Sequence, residues 1–247
     1  MEAPVPPSGV SLLVVLALCA VHLFAGRLRF LESTPRSVWL SFAGGVSVAY
    51  IFVHVLPDLS EAQEVVQSSV GEVLGFVEHH VYLVALLGLS AFYGLERAAR
   101  KSRRSNLQDG GEDVTSARVF WLHIVSFALY NALIGYLLLE REELRSLLVF
   151  ALAMALHFVI SDFALHEHHK DTYRRTGRWI LAAAIFLGWL VGRTTRIDEA
   201  VVGVLFAFLA GGVMLNVLKE ELPEERESRF WAFAAGAGGY AALLMAL

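Results

Sequence analysis

Eight apolar runs alternate with polar segments along the chain. They cover approximately residues 9–26, 38–57, 80–97, 118–139, 146–166, 178–193, 200–218 and 229–247. A helix of about 20 apolar residues crosses the hydrocarbon layer of a bilayer, and in lipid each backbone polar group must be satisfied within its own segment. The pattern therefore predicts an all-α polytopic membrane protein with eight transmembrane helices in a single domain, residues 1–247.

Composition supports this prediction. Of the 247 residues, 56% are hydrophobic and 18% are charged, and the mean hydropathy is +0.57, more apolar surface than one soluble core of this size could bury. Only the connections 58–79 and 98–117 are long, and the polar stretch from Arg97 to Asp113 is predicted to be a flexible inner loop. The single cysteine, Cys19, excludes a disulfide framework and a thiolate metal cluster.

Basic residues are concentrated in alternate connections. With the N-terminus outside, the inner connections hold most of the 20 Lys and Arg residues, and the exceptions are Arg141, Arg145, Arg193 and Arg196. The positive-inside bias then predicts that both termini face out. The start of the chain has no basic region, so the first span is predicted to be retained, and the compact loops suit a bacterial cytoplasmic membrane. Lipid is the expected surrounding, and no nucleic-acid partner is expected.

Spans two and seven carry similar short motifs. Ala43-Gly44-Gly45-Val46 precedes Leu56-Pro57-Asp58, and Ala210-Gly211-Gly212-Val213 precedes Leu222-Pro223-Glu224. The two spans run in opposite directions in the predicted orientation, so the pair fits an inverted-topology repeat of the kind found in many transporters. The alternative is that small residues followed by a proline are ordinary helix-packing and helix-ending features.

Spans four and five contain the polar residues that are best suited to chemistry. A polar side chain within a span is costly and is therefore a functional candidate. The candidates are His123, Ser126, Tyr130 and Asn131 in span four, and His157, Ser161, Asp162, His166, Glu167, His168 and His169 in or just after span five. Imidazole, carboxylate and amide oxygen together are suitable ligands for zinc or another divalent first-row metal.

Helical spacing divides the candidates of span five between two faces of the helix. His157 and Ser161 share a face, whereas Asp162 points away from His157 and shares a stripe with His166 and His169. A route from Asn131 and His157 to His123 and the His166–His169 segment would lead inward.

Each of these residues also has a structural interpretation. His157 could make a helix-to-helix hydrogen bond, and for His22 in span one this interpretation is preferred. The His166–His169 segment could be a solvated helix end that complements the helix dipole. Asp162 is harder to explain structurally, because without a partner it would have to be protonated or exposed to water.

The chain resembles the ZIP (Zrt-, Irt-like) metal-ion transporters. The second span of that family is similar to Phe42-Ala43-Gly44-Gly45-Val46 leading to His54-Val55-Leu56-Pro57-Asp58, and its seventh is similar to Ala210-Gly211-Gly212 leading to Leu222-Pro223-Glu224. Eight spans, outer termini and a long third connection inside also resemble the family. The resemblance implies a transporter fold, a divalent metal as the transported ion, and a homodimer.

The transport site departs from the family pattern. The fourth span of the family reads His-Asn, two residues, an acid and Gly, where this chain has Tyr130-Asn131-Ala132-Leu133-Ile134-Gly135. The fifth reads His, three residues, Glu and Gly, where this chain has His157, three residues, Ser161 and Asp162. Asn131 and His157 therefore carry over, and Asp162 is a displaced substitute. Zinc usually takes about four ligands, so a changed metal preference or a loss of transport follows from these departures.

Three hypotheses remain. The leading one is a divergent ZIP-like transporter that moves a divalent cation, with zinc as the first candidate, toward the cytoplasm. Its metal ligands would be Asn131, His157, Ser161 and Asp162, and its pathway would include His54, His123, Tyr130, His166, His168 and His169. The second is a non-transporting structural or regulatory member of that fold. The third, a membrane-embedded metal hydrolase, is least favoured, because no His pair at i, i+4 and no Ser beside a base is evident; an enzyme is not expected.

Overall fold

All regular elements in the described part of the chain are helices. The computed structural model describes residues 8–25, 38–70, 80–111, 114–141, 143–221 and 229–246. Its helices are α1 Ser8–Phe24, α2 Val38–Tyr50, α3 Leu56–Val70, α4 His80–Gln108, α5 Ala117–Leu137, α6 Leu144–Thr172, α7 Arg178–Thr194, α8 Glu199–Glu221 and α9 Phe230–Ala246. Five-residue π-helical turns join α2 to α3 at Ile51–Val55 and α6 to α7 at Tyr173–Gly177. The prediction of an all-helical chain is confirmed for these ranges.

Five of the described helical stretches are long and apolar enough to cross a membrane. They are Val38–Gln67, Val81–Gln108, Ala117–Leu137, Leu144–Thr194 and Glu199–Lys219, and two shorter apolar helices cover Gly9–Phe24 and Phe230–Met245. Large apolar side chains such as Leu13, Trp39 and Trp231 lie on the outer surface. Extensive exposed apolar surface is unfavourable in water. The helices are therefore compatible with a protein that spans a membrane.

The helices pack as two bundles. In the first bundle, α7 packs against α5 and α1, and α1 also contacts α6. In the second bundle, α8 packs against α4 and α3, and α2 packs against α9. Helices α2 and α6 make the most extensive contact between the two bundles. Helix α6, which carries most of the candidate residues, therefore lies at the junction.

Paired glycines allow the three closest helix crossings. At each crossing, a Cβ added to a glycine of either helix would overlap a backbone carbonyl oxygen of the partner. The pairs are Gly45 with Gly236 for α2 and α9, Gly88 with Gly211 for α4 and α8, and Gly135 with Gly188 for α5 and α7. Small residues at helix interfaces allow such close backbone approach. Gly45 and Gly211 belong to the two motifs of the predicted repeat, whose Leu222-Pro223-Glu224 part lies outside the described residues.

The prediction of a flexible loop from Arg97 is wrong, because α4 continues to Gln108. The stretch contains strong helix formers, Ala99 is fully buried, and Arg100 forms an i, i+4 ion pair with Glu96. The chain turns only after Gln108, with Gly110 at a φ of 76°. The basic residues are therefore displayed on a helix.

Two other predicted helix ends also differ from the structure. Pro57 does not end span two, because the helix continues through the π-helical turn Ile51–Val55 into α3. Span five does not end near residue 166, because α6 runs to Thr172 with a kink at Lys170, whose φ is 47°. The acidic segment after Pro57 is thus helical as far as Val70.

Candidate functional site

Polar side chains from three helices and a π-helical turn meet inside the first bundle. His22 of α1 places Nδ1 2.9 and 3.1 Å from the two carboxylate oxygens of Asp162 on α6, and Nε2 2.8 Å from Oδ1 of Asn131 on α5. The Tyr173 hydroxyl donates to the same Asp162 carboxylate. All three of His22, Asn131 and Asp162 are at most 2% exposed. We call His22, Asn131, Asp162 and Tyr173 the polar centre.

The hydrogen bonds of the polar centre determine where its protons lie. Asn131 donates from Nδ2 to the carbonyl of Phe127 at 2.7 Å, which leaves Oδ1 as an acceptor facing His22. Nε2 of His22 must therefore carry a hydrogen. Tyr173 also donates to Asp162, so the carboxylate contacts side chains from two other parts of the fold. Asp162 thus has the partner that its position requires, and the partner is an imidazole.

His157 and Ser161 form a second contact on α6. Ser161 Oγ lies 3.2 Å from Nε2 of His157, as the spacing of four residues predicts. Ser161 therefore lies beside an imidazole. Nδ1 of His157 is buried and has no hydrogen-bond partner in the described part of the chain, so the pair lacks the carboxylate that orients the histidine of a hydrolytic triad. The buried Tyr130 hydroxyl likewise has no described partner, and its ring centroid is 5.8 Å from that of His157.

A third group of side chains lies farther along α6. His123 Nδ1 is 3.0 Å from His169 Nε2, and His168 Nε2 is 3.3 Å from a carboxylate oxygen of Glu96. Lys219 of α8 also pairs with Glu96. We call Glu96, His123, His168 and His169 the inner cluster. It connects α4 of the second bundle to α5 and α6 of the first.

The solvated-end interpretation of the His166–His169 segment is wrong for His168 and His169, which are both buried. His166 is half-buried and joins neither cluster. The predicted stripe of Asp162, His166 and His169 does not converge, because Asp162 faces His22 whereas His169 faces His123.

A small cavity lies between Ser161 and the inner cluster. Ser161, His123, His168, Glu96 and Lys219 contribute to its lining, and its volume of about 10 Å³ has room for about one water molecule. Ser161 therefore faces the same cavity as three members of the inner cluster. The His54 side chain lies elsewhere, half-buried on the π-helical turn of the second bundle, with its ring centroid 5.4 Å from that of Tyr50.

The four predicted metal ligands lie in two separate contacts. Asn131 and Asp162 flank His22, whereas His157 and Ser161 face each other. Among the residues that the structure describes, no three His, Cys, Asp or Glu side chains are arranged to hold a metal ion. The donors present are imidazole nitrogen, amide oxygen and carboxylate oxygen, which suit zinc chemically. In this conformation His22 occupies the position between the two oxygen donors.

Sequence reasoning missed two residues that organise the site, namely Glu96 and Tyr173. For His22 it preferred a helix-to-helix hydrogen bond, and His22 does make such bonds to Asn131 and Asp162. The rule that made Asp162 a candidate applies equally to His22, an ionisable residue within a span. Glu96 is the single acid of the predicted span 80–97, so the same rule could have found it. Tyr173 gave no such signal, since tyrosine is common where helices leave a membrane. No family model, curated protein or solved structure matches this chain.

Replacing Glu96 with Gln is expected to destabilise the inner cluster by about 2 kcal/mol, because hydrogen bonds to charged groups contribute about 1.5–3 kcal/mol. The change removes the negative charge that faces Lys219 and His168. The measurement is denaturant unfolding in mild detergent. Asp171→Asn is the matched control, since its ion pair with Arg174 is exposed and contributes little. An equal effect of both substitutions would contradict the assignment of Glu96 as the organising residue.

Proposed function

We propose that the chain is a divergent ZIP-like transporter that moves a divalent metal cation, zinc being the first candidate, toward the cytoplasm. One observation carries the proposal. Asn131 and Asp162, predicted as ligands, approach the same imidazole from different helices, with contacts of 2.8–3.1 Å at a buried position. Polar and ionisable side chains are costly within apolar helices, so their concentration at this position favours a functional role.

The donor chemistry suits a weakly held cation. Asn131 and Asp162 would each supply an oxygen, and His157 has a buried Nδ1 that no described group uses. A cation at the polar centre needs His22 to coordinate it or to turn aside, since His22 now contacts both oxygen donors. With one carboxylate the site offsets only part of the charge of a divalent ion. This is the basis for proposing weak or broad metal selectivity.

Two features of the fold support eight spans and an inverted repeat. The stretch Leu144–Thr194 is 51 residues long with a kink at Lys170, which is enough chain for two spans. With α1 and α9 as short spans, the total reaches the eight that we propose. In addition, Gly45 and Gly211 each make the close approach to a neighbouring helix, α9 for the first motif and α4 for the second. Each motif thus places one glycine at a helix crossing, the third residue of the first motif and the second residue of the other. A crossing glycine in both motifs supports a repeat.

A second candidate is a member of the same fold that does not transport. It is favoured by the completeness of the polar centre, in which His22, Asn131 and Asp162 all have hydrogen-bond partners within the protein. A purely structural set of interhelical hydrogen bonds would have the same arrangement.

Uptake of zinc into proteoliposomes, with cadmium, manganese and iron for comparison, tests the proposal. We expect saturable uptake by the unmodified protein and loss of uptake in His157→Ala. Ser126→Ala is the matched control, because its hydroxyl bonds only to the carbonyl of Leu122 on its own helix. No uptake of any of these ions by folded protein would overturn the transporter proposal and leave the non-transporting member.

A further inference from the structure

A basic groove lies between α4 and α8, outside the polar centre. It borders the inner cluster at Glu96. Among the described residues, five cations line it, namely Arg97, Arg100, Lys101, Arg104 and Lys219, together with the carboxylate of Glu96. Its volume is about 760 Å³. The four cations of α4 recur at intervals of three and four residues, so they lie on one face of the helix.

Part of this charge is already neutralised within the protein. Glu96 pairs with both Arg100 and Lys219. Arg97, Lys101 and Arg104 are exposed, and no hydrogen-bond or ion-pair partner for them occurs among the residues that the structure describes. Three cations on one helix face therefore remain available for an anion.

The position of the groove favours a lipid headgroup. The basic face starts where the predicted span 80–97 ends, so the cations lie at the level of the headgroups. Tyr93 and Leu215 line the membrane-side end of the groove and could contact an acyl chain or glycerol backbone. Basic pockets between transmembrane helices at a membrane surface are suited to anionic phospholipid headgroups. An isolated phosphate would use the cations but not the apolar end.

From this arrangement we propose that the groove binds the phosphate headgroup of an anionic phospholipid, independently of whether the chain transports an ion. Arg97, Lys101 and Arg104 contact the phosphate, and Tyr93 and Leu215 contact the apolar part of the lipid. A bound lipid would bridge α4 and α8, the pair that the crossing of Gly88 and Gly211 already holds together.

The test uses the full chain, purified and delipidated in a neutral detergent. Binding of dioctanoyl phosphatidylglycerol is titrated by intrinsic tryptophan fluorescence and compared with dioctanoyl phosphatidylcholine and inorganic phosphate. We expect saturable binding of the anionic lipid and at least about tenfold weaker binding of both comparison ligands. The phosphatidylcholine headgroup has no net charge for the cations to attract, and inorganic phosphate lacks the apolar part that Tyr93 and Leu215 would contact. Equal binding of phosphate and anionic lipid would indicate a simple anion site and overturn the proposal.

Variants locate the binding. Arg97→Gln/Lys101→Gln/Arg104→Gln is expected to weaken binding of phosphatidylglycerol at least about tenfold. Arg97→Lys/Lys101→Arg/Arg104→Lys should retain it. The matched control is Arg118→Gln/Arg174→Gln/Arg175→Gln, which removes three exposed cations of other predicted inner segments. Equal weakening by the control and the groove variant would mean that binding reflects net charge alone, which overturns the proposal.

An acidic segment of the chain follows Lys219, and the test must distinguish it from a lipid as the occupant of the groove. Glu220, Glu221, Glu224, Glu225 and Glu227 follow Lys219, and their side chains lie outside the described residues. If the unmodified protein does not bind phosphatidylglycerol but Glu224→Gln/Glu225→Gln/Glu227→Gln does, the acidic segment of the chain itself is the occupant and the lipid proposal is overturned.

Discussion

Replacing Asp162 with alanine is expected to destabilise the protein by about 3 kcal/mol, because leaving a buried hydrogen-bonding group without its partner costs about 1–3 kcal/mol and the substitution does this to two groups. The substitution leaves His22 and Tyr173 buried without the carboxylate that both of them contact. Unfolding in mild detergent with added denaturant measures the loss. If Asp162 is also a metal ligand, zinc uptake should be lost in the folded fraction.

A double-mutant cycle separates the pair from its surroundings. His22→Ala alone should cost a similar amount, and His22→Ala/Asp162→Ala should cost clearly less than the sum, because neither side chain is then left buried without the other. His166→Ala serves as the control on the same helix, since His166 is half-buried and belongs to neither cluster. If Asp162→Ala is no more destabilising than His166→Ala, the polar centre does not hold the first bundle together.

Replacing Gly236 with alanine is expected to destabilise the crossing of α2 and α9 by at least about 2 kcal/mol. Overpacking a tight interface usually costs about 1–3 kcal/mol. The added Cβ would overlap the backbone carbonyl of Phe42, and backbone cannot move aside as a flexible side chain can. Gly45→Ala should act similarly from the opposite helix, since its Cβ would overlap the carbonyl of Phe233. Thermal unfolding in detergent measures both effects.

Gly239→Ala is the matched control on the same helix. In the described part of the chain, no atom of another helix lies within 4 Å of a Cβ added at that position. Alanine is favoured over glycine in a helix by up to about 1 kcal/mol, so this variant should be neutral or slightly stabilised. Equal destabilisation by Gly236→Ala and Gly239→Ala would mean that helix propensity or lipid contact, rather than the helix crossing, decides the effect.

Some features of the site could be predicted from local sequence. The pairing of His157 with Ser161 follows from their spacing on one helix, and so does the divergence of Asp162 from His157. The need of Asp162 for a partner follows from the energetic cost of a buried charge. The identity of that partner could not be predicted, because His22 is 140 residues away in the chain and reaches Asp162 only through the packing of α1 against α6.

Errors in the predicted boundaries have a related cause. Hydropathy marks where a side chain prefers lipid, but a helix ends where its backbone hydrogen bonds end. Helix α4 therefore continues past the apolar run through Arg97 and Arg104, whose solvated side chains are compatible with helical backbone. For the same reason His168 and His169, polar residues placed beyond the predicted span, remain on a helix and are buried by α4 and α5.

By itself, the sequence determined that this protein is built of apolar helices and that its chemically capable residues concentrate in α5 and α6. Both properties follow from the periodicity and transfer energy of individual side chains. Only the tertiary structure decided that His22 lies between Asn131 and Asp162, that Glu96 joins the two bundles, and that three cations of α4 face a groove. Each of these contacts depends on how helices distant in sequence are oriented. The glycine pairs at the crossings and the burial of polar groups together determine that orientation.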